Sequence, residues 1–354
     1  MTRLAALALL GLLACYPARA DPVPDDLGAR VADGYARPAA QAFTVAARET
    51  ARLTGELCAA PSGESLGAAR TAFAGLVPAW GGLSVLRFGP LQAENRYEQL
   101  FFWPDPRGVI VRQVGALLAG KDEAALAPGA LAARSVAVQG LPALEFALHG
   151  AGAEDLETEA GGYRCRYALA VAANVADIAA AVEVGWDEAA PFHDDFAAPA
   201  AGNDLYHSQR EVAGEIVKAL GTALQFTRNA ELLPPLGETP DKARGKRAPL
   251  WRSGLTFALA AARIEAAVAL LDAAGFAGDA EARGAVETMR FDLAHAAEAL
   301  RAVTTPAEDA FAPGEDRERI RYATVALEAA NATLGEKLSA ALGLTMGFNA
   351  LDGD

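Results

Sequence analysis

Residues Ile320 to Leu338 read IRYATVALEAANATLGEKL, and the apolar positions in this stretch recur every three or four residues. That spacing is typical of a helix that buries one face, because an α-helix turns once in about 3.6 residues. Glu328, Glu336 and Lys337 lie on the opposite side and are expected to face solvent. The predicted buried face consists of Ile320, Ala323, Leu327, Ala330, Leu334 and Leu338.

The same helical spacing occurs in two other parts of the chain, and no part shows sustained strict alternation of apolar and polar residues. The two further stripes are Phe43, Ala46, Thr50, Leu53 and Leu57, and Val212, Ile216, Leu220 and Leu224. Hydrophobic residues make up 52% of the chain but aromatic residues only 7%, so alanine and leucine provide most of the apolar surface. Such a composition favours closely packed helices. The sequence therefore predicts an all-α fold with little or no sheet.

Ten helices are predicted from these patterns, and two prolines are expected to break or bend the helices that contain them. Pro38 and Pro78 each lack a backbone donor and crowd the preceding turn. The predicted helices are 25–57, 63–87, 92–101, 108–119, 135–148, 162–188, 203–227, 253–273, 279–303 and 316–341.

The length of the chain predicts two domains, because 354 residues are many for one hydrophobic core. The tract 197–203 combines Pro, Gly and Asn without an apolar anchor, which is typical of a boundary. We therefore expect two packed helix-bundle domains, residues 21–200 and residues 201–354.

The first twenty residues have the features of a secretory signal. Arg3 precedes an apolar run at residues 4–13, and residues 18–20 form a small-x-small cleavage site. The apolar run is too short to cross a bilayer. We therefore expect residues 1–20 to be a signal peptide and the mature protein to be periplasmic, without a transmembrane segment. The alternative is lipid attachment at Cys15, because the residues before it also resemble a lipoprotein processing site.

Removal of the signal would leave two cysteines, Cys58 and Cys165, in a compartment where disulfides persist. A bridge between them is the simplest interpretation, and two separate buried thiols are the alternative. In the chain-entropy model, closing a loop of about a hundred residues stabilises a fold by roughly 4 to 5 kcal/mol.

The net charge and the missing motifs exclude several classes of protein. A charge of −14 and a pI near 4.8 argue against a nucleic-acid partner, since phosphate binding relies on clustered Lys and Arg. The sequence contains no nucleophile elbow, no phosphate-binding glycine loop and no haem attachment motif.

The segment 94–150 differs from the alanine-rich remainder of the chain in its aromatic, proline and charged residues. Charges that converge between helices must pair or form hydrogen bonds, because an isolated buried charge is costly. Such a set forms either a polar pocket or a staple that holds the loops of the first domain together. The charged residues are Glu94, Arg96, Asp105, Arg107, Arg112, Arg134 and Glu145.

Several motifs resemble the imelysin family of bacterial envelope proteins, once classed as metallopeptidases and associated with iron acquisition. The diagnostic element of that family is Gly-x-His-x-x-Glu on a helix. Here Gly140 and Glu145 are present, and Pro142 stands at the histidine position. The other motifs are Phe101-Phe102-Trp103-Pro104-Asp105-Pro106-Arg107-Gly108, Tyr163-Arg164-Cys165 and Trp251-Arg252-Ser253-Gly254. The resemblance covers the whole mature chain and implies two similar bundles side by side, with the motif helix facing their interface.

The proline at the motif bears directly on metal chemistry. A zinc peptidase needs at least three protein ligands around an open coordination position, and Pro142 has no imidazole. Glu145, early in a helix, is equally suited to be a buried partner of an arginine. A metallopeptidase would need substitute ligands such as His149 or His207. His207 and Glu211 lie four residues apart on a predicted helix, which fits either a metal site or an ordinary side-chain pair.

A second irregular feature is the stretch 229–252, rich in proline, glycine and charge. Long connections of this kind often line or cover a site. The stretch ends at Trp251 and Arg252, two large side chains that are normally held against something. Ser253 is placed to cap the following helix. The resemblance implies that this loop approaches the first domain.

Together these observations predict an exported, non-catalytic imelysin-like protein that binds a ligand or partner in iron or other metal uptake. Its expected partners are metal-uptake components of the envelope, and the sequence assigns no cofactor. The rival classes are a metallopeptidase with substitute ligands and a structural envelope lipoprotein. The predicted pocket consists of Glu145, Arg96, Arg134 and Arg252, with Trp103 and Trp251 as its aromatic walls.

Overall fold

The computed structural model describes residues 21–278 and 280–344, and every regular element in these ranges is a helix. The predicted all-α class is therefore confirmed. The predicted signal peptide and Cys15 lie outside the described residues.

The chain up to residue 200 forms three long helices and several short ones. Pro38 is the second residue of α2, which follows a π-helical turn, whereas Pro78 lies inside a helix that continues for another five residues. The elements are α1 (Leu27–Val31), a π-helical turn (Ala32–Ala36), α2 (Arg37–Ala59), α3 (Gly63–Leu83), α4 (Gly89–Gln92), α5 (Arg96–Leu100), α6 (Val109–Gly120), α7 (Leu141–His149), α8 (Gly162–Gly185) and α9 (Pro191–Ala197).

The chain after residue 200 is built from four long helices, two of which pass into π-helical turns. Those turns are Thr227–Leu232 and Thr333–Leu338. The helices are α10 (Gln209–Phe226), α11 (Leu233–Leu236), α12 (Thr256–Ala274), α13 (Ala280–Arg301), α14 (Ala307–Ala310), α15 (Glu315–Ala332) and α16 (Ser339–Ala341).

Most positions of the predicted apolar stripes are buried. All six apolar positions between Ile320 and Leu338 are buried, as are the four positions between Val212 and Leu224. In α2 the stripe is only partly right, because Leu53 is half-buried and Thr54 takes the buried position. The Thr54 hydroxyl donates to the Thr50 carbonyl at 2.7 Å, so its polar group is satisfied inside the helix.

Helix α9 was not predicted, because it is too short to show helical spacing. Pro191 occupies its first turn, where the missing N–H has no cost. Phe192 and Phe196 pack edge-on against Trp186, with ring centroids 5.1 and 5.5 Å apart. Aromatic packing therefore holds this segment where the sequence indicated only a connection.

A disulfide connects helices α2 and α8, as predicted. Cys58 at the end of α2 bonds to Cys165 near the start of α8, with their Cα atoms 5.5 Å apart. That separation lies in the usual range for disulfides. The bridge ties together two helices that also pack along their length.

Helix α8 belongs to the single stretch of the described chain, Glu159–Gly185, that is long and apolar enough to cross a membrane by length and composition. Tyr167, Val171, Val175 and Val182 on this helix are fully buried in the protein. Core helices of soluble proteins have the same composition, and here the helix packs inside a bundle.

The residues on either side of the predicted boundary share one hydrophobic core. At Gly81 in α3, an added Cβ would lie 2.8 Å from the Cβ of Ala262 in α12. A glycine is needed there because the two helices approach so closely. The division into two domains at residue 200 stays a prediction.

A fully buried ion pair lies at this helix contact. Arg263 in α12 donates to a carboxylate oxygen of Glu231 at 2.5 Å, and both side chains are 1% exposed. Arg263 also donates through Nε to the Ser84 hydroxyl at the end of α3, at 2.9 Å. The pair therefore connects α12 both to the π-helical turn after α10 and to the end of α3.

Removing one member of this pair is expected to destabilise the protein strongly. Arg263→Met leaves Glu231 buried without a cation, which typically costs about 3–5 kcal/mol. Adding Glu231→Leu should recover most of that loss, because the double variant buries no charge. Denaturant unfolding measures both values.

The exposed pair Arg301–Glu265 provides the matched control. Arg301→Met is expected to change the free energy of unfolding by no more than about 1 kcal/mol, since solvent screens surface pairs. A double variant no more stable than Arg263→Met alone would contradict the ion-pair explanation.

Candidate functional site

The motif helix α7 begins at a point where only glycine fits. Gly140 has φ +87°, and an added Cβ would lie 2.3 Å from the carbonyl oxygen of Gln99 and 2.5 Å from that of Leu100. Glycine alone tolerates both the positive φ and the close backbone. Pro142 occupies the first turn of α7, where a backbone donor is not needed. The start of the helix is thus fixed against the end of α5.

Glu145 projects from α7 into a buried contact with the chain that precedes α12. Its side chain is buried, and Oε1 accepts hydrogen bonds from the Ser253 N–H at 2.9 Å and the Ser253 hydroxyl at 3.0 Å. Its Oε2 lies 3.9 Å from Nη1 of Arg252. In the structure, Glu145 is therefore a buried partner of an arginine, Arg252, which was one of the two alternatives.

The sequence predicted that Ser253 caps the following helix, and this prediction is wrong. Helix α12 begins three residues later, at Thr256, and Leu255 provides no side-chain cap. The Ser253 hydroxyl instead bonds to Glu145 and to the Leu250 carbonyl at 3.0 Å. Leu250 has φ +53°, which is uncommon for leucine. Long-range bonds to a buried carboxylate thus determine the shape of this loop.

Burial and neighbouring donors shift the pKa of Glu145 in opposite directions. Burial raises the pKa of the Glu145 carboxyl above its ordinary value, while the Ser253 N–H and the Arg252 charge oppose that rise. Burial also lowers the pKa of Arg252, against the attraction of Glu145. The site therefore contains a carboxyl that binds a proton more tightly than an exposed glutamate does.

Two cations lie over the indole ring of Trp251. The guanidinium of Arg252 is 4.4 Å from the Trp251 ring centroid and 5.3 Å from that of Phe146, and Lys246 Nζ is 5.2 Å from the Trp251 centroid. Cation–π attraction of this kind holds side chains in place. This arrangement agrees with the prediction that the large side chains of Trp251 and Arg252 pack against other residues.

The turn from Trp103 to Pro106 forms the opposite side of the site. The Trp103–Pro104 peptide is cis, and the Trp103 indole N–H donates to the Ala230 carbonyl at 3.0 Å. The carboxylate of Asp105 accepts from the N–H groups of Val109 and Ile110 at 2.7 and 2.9 Å, at the start of α6. The turn is thus fixed both to its own helix and to the π-helical turn after α10.

Between these two sides lies an open cleft, which we call the Trp103–Trp251 cleft. It has a larger part of about 540 Å³ and a smaller part of about 100 Å³. Trp103, Asp105 and Lys246 border both parts. The larger part is also lined by Pro104, Pro106, Gln225, Phe226, Asn229, Ala230, Pro234 and Arg247. The smaller part is also lined by Gly108, Ile110, Val111, Pro142, Glu145, Ala248, Leu250, Trp251 and Arg252.

Four of the six predicted pocket residues meet at this cleft: Trp103, Glu145, Trp251 and Arg252.

Arg96 and Arg134 line neither part of the cleft. Arg96 bonds to Glu94 at 2.5 Å and to the Pro90 carbonyl, and Arg134 bonds to Asp122 at 2.7 Å. Both guanidiniums serve local loops, as the staple alternative expected of the charged segment.

His149 and His207, the two histidines considered as substitute ligands, line neither part of the cleft. Burial, with a smaller effect of Arg70, lowers the pKa of His149 to about 4, and its ring packs against Phe73. His207 precedes α10, and its backbone N–H donates to the Glu211 carboxylate at 2.8 Å. Within residues 21–278 and 280–344, no three His, Cys, Asp or Glu side chains form a group that could hold a metal ion.

Three contributors to the site were not predicted from the sequence: Ser253 as a partner of Glu145, Phe146 beside Arg252, and Lys246 at both parts of the cleft. The prediction that the stretch 229–252 lines a site was the available signal for Lys246. For Phe146 the only signal in the sequence was its position next to Glu145.

These features define an all-α protein with a motif helix whose buried glutamate contacts a loop from the other half of the chain. The family model described as Imelysin, peptidase M75, matches residues 36–334. The chain belongs to the imelysin family. No curated protein matches it.

Two solved structures share the fold. An imelysin-like protein from Psychrobacter arcticum 273-4 is 20% identical, with a TM-score of 0.74 over 94% of this chain and 100% of that one. A protein described as an iron-regulated protein A precursor from Parabacteroides distasonis ATCC 8503 is 14% identical, with a TM-score of 0.71 over 91% of this chain and 95% of that one.

The raised pKa of Glu145 predicts how stability depends on pH. The folded protein binds this proton more tightly than the unfolded chain, so stability falls as pH rises from the ordinary value of 4.5 through the folded pKa. Glu145→Gln keeps an oxygen acceptor for Ser253 but cannot ionise. We expect the wild type to lose stability relative to Glu145→Gln as the pH rises above 4.5 and through the raised pKa of Glu145.

Thermal melting of both proteins across this pH range measures the effect. Glu287→Gln, at an exposed position on α13, controls for the loss of one negative charge. Parallel pH profiles for wild type and Glu145→Gln would rule out the proposed effect of burial.

Proposed function

We propose that this protein is an exported, non-catalytic binding protein that holds a small ligand in the Trp103–Trp251 cleft and acts in iron or other metal uptake. The observation that carries the proposal is the cleft itself, which is open, mostly apolar and bordered by two indole side chains. A volume of about 540 Å³ lies within the range typical of small-molecule sites. Trp103, Trp251, Glu145 and Arg252 are its proposed ligand-binding residues.

The non-catalytic part of the proposal rests on how Glu145 is used. Its Oε1 accepts two hydrogen bonds from Ser253 and its Oε2 faces Arg252, so the carboxylate is engaged in holding the loop. By the motif resemblance, Pro142 stands at the histidine position, and a proline side chain has no ligating atom. These contacts favour a binding protein over a metallopeptidase.

Three observations support a periplasmic place in metal uptake. The first twenty residues have the pattern of a signal peptide. The Cys58–Cys165 bridge fits an oxidising compartment. The fold neighbour from Parabacteroides distasonis is described as an iron-regulated protein A precursor. Mass spectrometry of the mature N-terminus separates this proposal from a lipoprotein attached through Cys15.

Growth of the producing organism under iron limitation tests the role of the cleft. Deleting the gene is expected to slow growth, and the wild-type gene to restore it. Trp251→Ala removes one wall of the cleft and should restore growth only in part. Phe291→Ala, at an aromatic side chain 63% exposed on α13, should restore it fully. Full rescue by a Trp251→Ala protein with normal melting would count against the proposal.

Metal analysis distinguishes the rival enzyme. Protein purified without an affinity tag is expected to contain less than one equivalent of zinc or iron and to leave a peptide library intact. Stoichiometric metal together with chelator-sensitive hydrolysis would support a metallopeptidase instead.

A further inference from the structure

We infer that the larger part of the Trp103–Trp251 cleft selects a planar organic anion, with its apolar body against the aromatic and proline walls and its acidic group beside Lys246 and Arg247. This inference rests on the proposed function and adds the chemical class of the ligand. It depends on the charges, hydrogen-bond donors and apolar surface of one cavity.

The apolar surface comes from rigid side chains. Trp103 is fixed by its bond to the Ala230 carbonyl, and prolines 104, 106 and 234 border the same cavity. Flat, rigid apolar walls favour a planar ligand, because a ring stacks on an indole or a proline without loss of side-chain freedom.

The charged groups at the cavity are arranged for an anion. The protein has a net charge of −14, yet Lys246 and Arg247 border this cavity and Asp105 is its single carboxylate. Both oxygens of Asp105 accept backbone N–H groups at the start of the twelve-residue helix α6, where the helix dipole also stabilises negative charge. Because the Asp105 carboxylate is occupied by these N–H groups, Lys246 and Arg247 are the charged side chains that can attract a ligand.

Arg247 is the side chain best placed to provide that attraction. Its side chain is exposed, and within the described residues its guanidinium makes no hydrogen bond or ion pair. Lys246 is less available, because it lies 3.3 Å from the Glu308 carboxylate and over Trp251. A planar guanidinium with free donors suits a carboxylate or a related acid.

Asn229 adds a neutral donor to this side of the cavity. Its side-chain oxygen accepts from Arg228 at 2.8 Å, so the amide NH₂ is the part that remains for a ligand. An NH₂ group complements the oxygen atoms of an acid.

A cationic ligand fits these walls poorly. Lys246 and Arg247 border the larger part of the cleft, and both carboxylate oxygens of Asp105 already accept backbone N–H groups. A further cation would meet two like charges, and like charges placed side by side are repelled.

Isothermal titration calorimetry with two probes of the same shape tests the inference. 2-Naphthoate is an anion and 2-naphthamide is neutral. We expect 2-naphthoate to bind with a stoichiometry of one and 2-naphthamide about tenfold more weakly, because one charge-assisted contact is typically worth that factor. Raising the salt concentration should weaken only 2-naphthoate.

Variants connect the charge preference to Arg247. Arg247→Ala should weaken 2-naphthoate about tenfold and leave 2-naphthamide unchanged, while Arg247→Lys should keep part of the preference. Arg48→Ala, at an exposed arginine on α2, is the matched control and should change neither affinity.

Equal affinities for the two probes, absence of binding by both, or an unchanged affinity in Arg247→Ala would each overturn the inference. The proposed function is judged separately by the iron-limited growth of Trp251→Ala, so either idea can fail alone. Binding of 2-naphthoate that depends on Arg247 would support the anion site.

Discussion

The shape of the site depends on one buried carboxylate with two donors from a single serine. Glu145 can hold Ser253 only because α7 is fixed at its other end, where Gly140 lies against the carbonyls of residues 99 and 100. The loop held by this bond includes Leu250 with a positive φ, which is costly unless its surroundings maintain it. The same loop carries Trp251 and Arg252. One contact thus positions the side of the cleft that contains Trp251 and Arg252.

Gly140 and Glu145 each have a contact in this structure that accounts for the residue type. Glycine permits the close approach at the start of α7, and glutamate accepts the hydrogen bonds of the loop. Pro142 lies in the first turn of α7, a position that proline favours. The geometry around Glu145 therefore fixes one side of the cleft.

Local rules predicted most of the fold, and long-range contacts explain where they failed. Helical spacing identified the long helices because burial of an apolar face is periodic, and two exported cysteines predicted the disulfide. Ser253 was misassigned because capping is a local rule, whereas its partner is 108 residues away. For Arg96 and Arg134, the sequence indicated that charges must pair but not with which acid. In the structure Arg96 pairs with Glu94, and Arg134 pairs with Asp122.

The tryptophans fall into two optical classes. Trp80 and Trp186 are fully buried among other rings, far from any exchange with solvent, and their emission should stay constant. Trp103 and Trp251 border the cleft, and Trp251 has two cations against its face. A molecule that enters the cleft would alter the surroundings of Trp103, and in the smaller part also those of Trp251, but not those of Trp80 or Trp186. The protein therefore contains a built-in fluorescent reporter of its own occupancy, with an internal standard in the same chain.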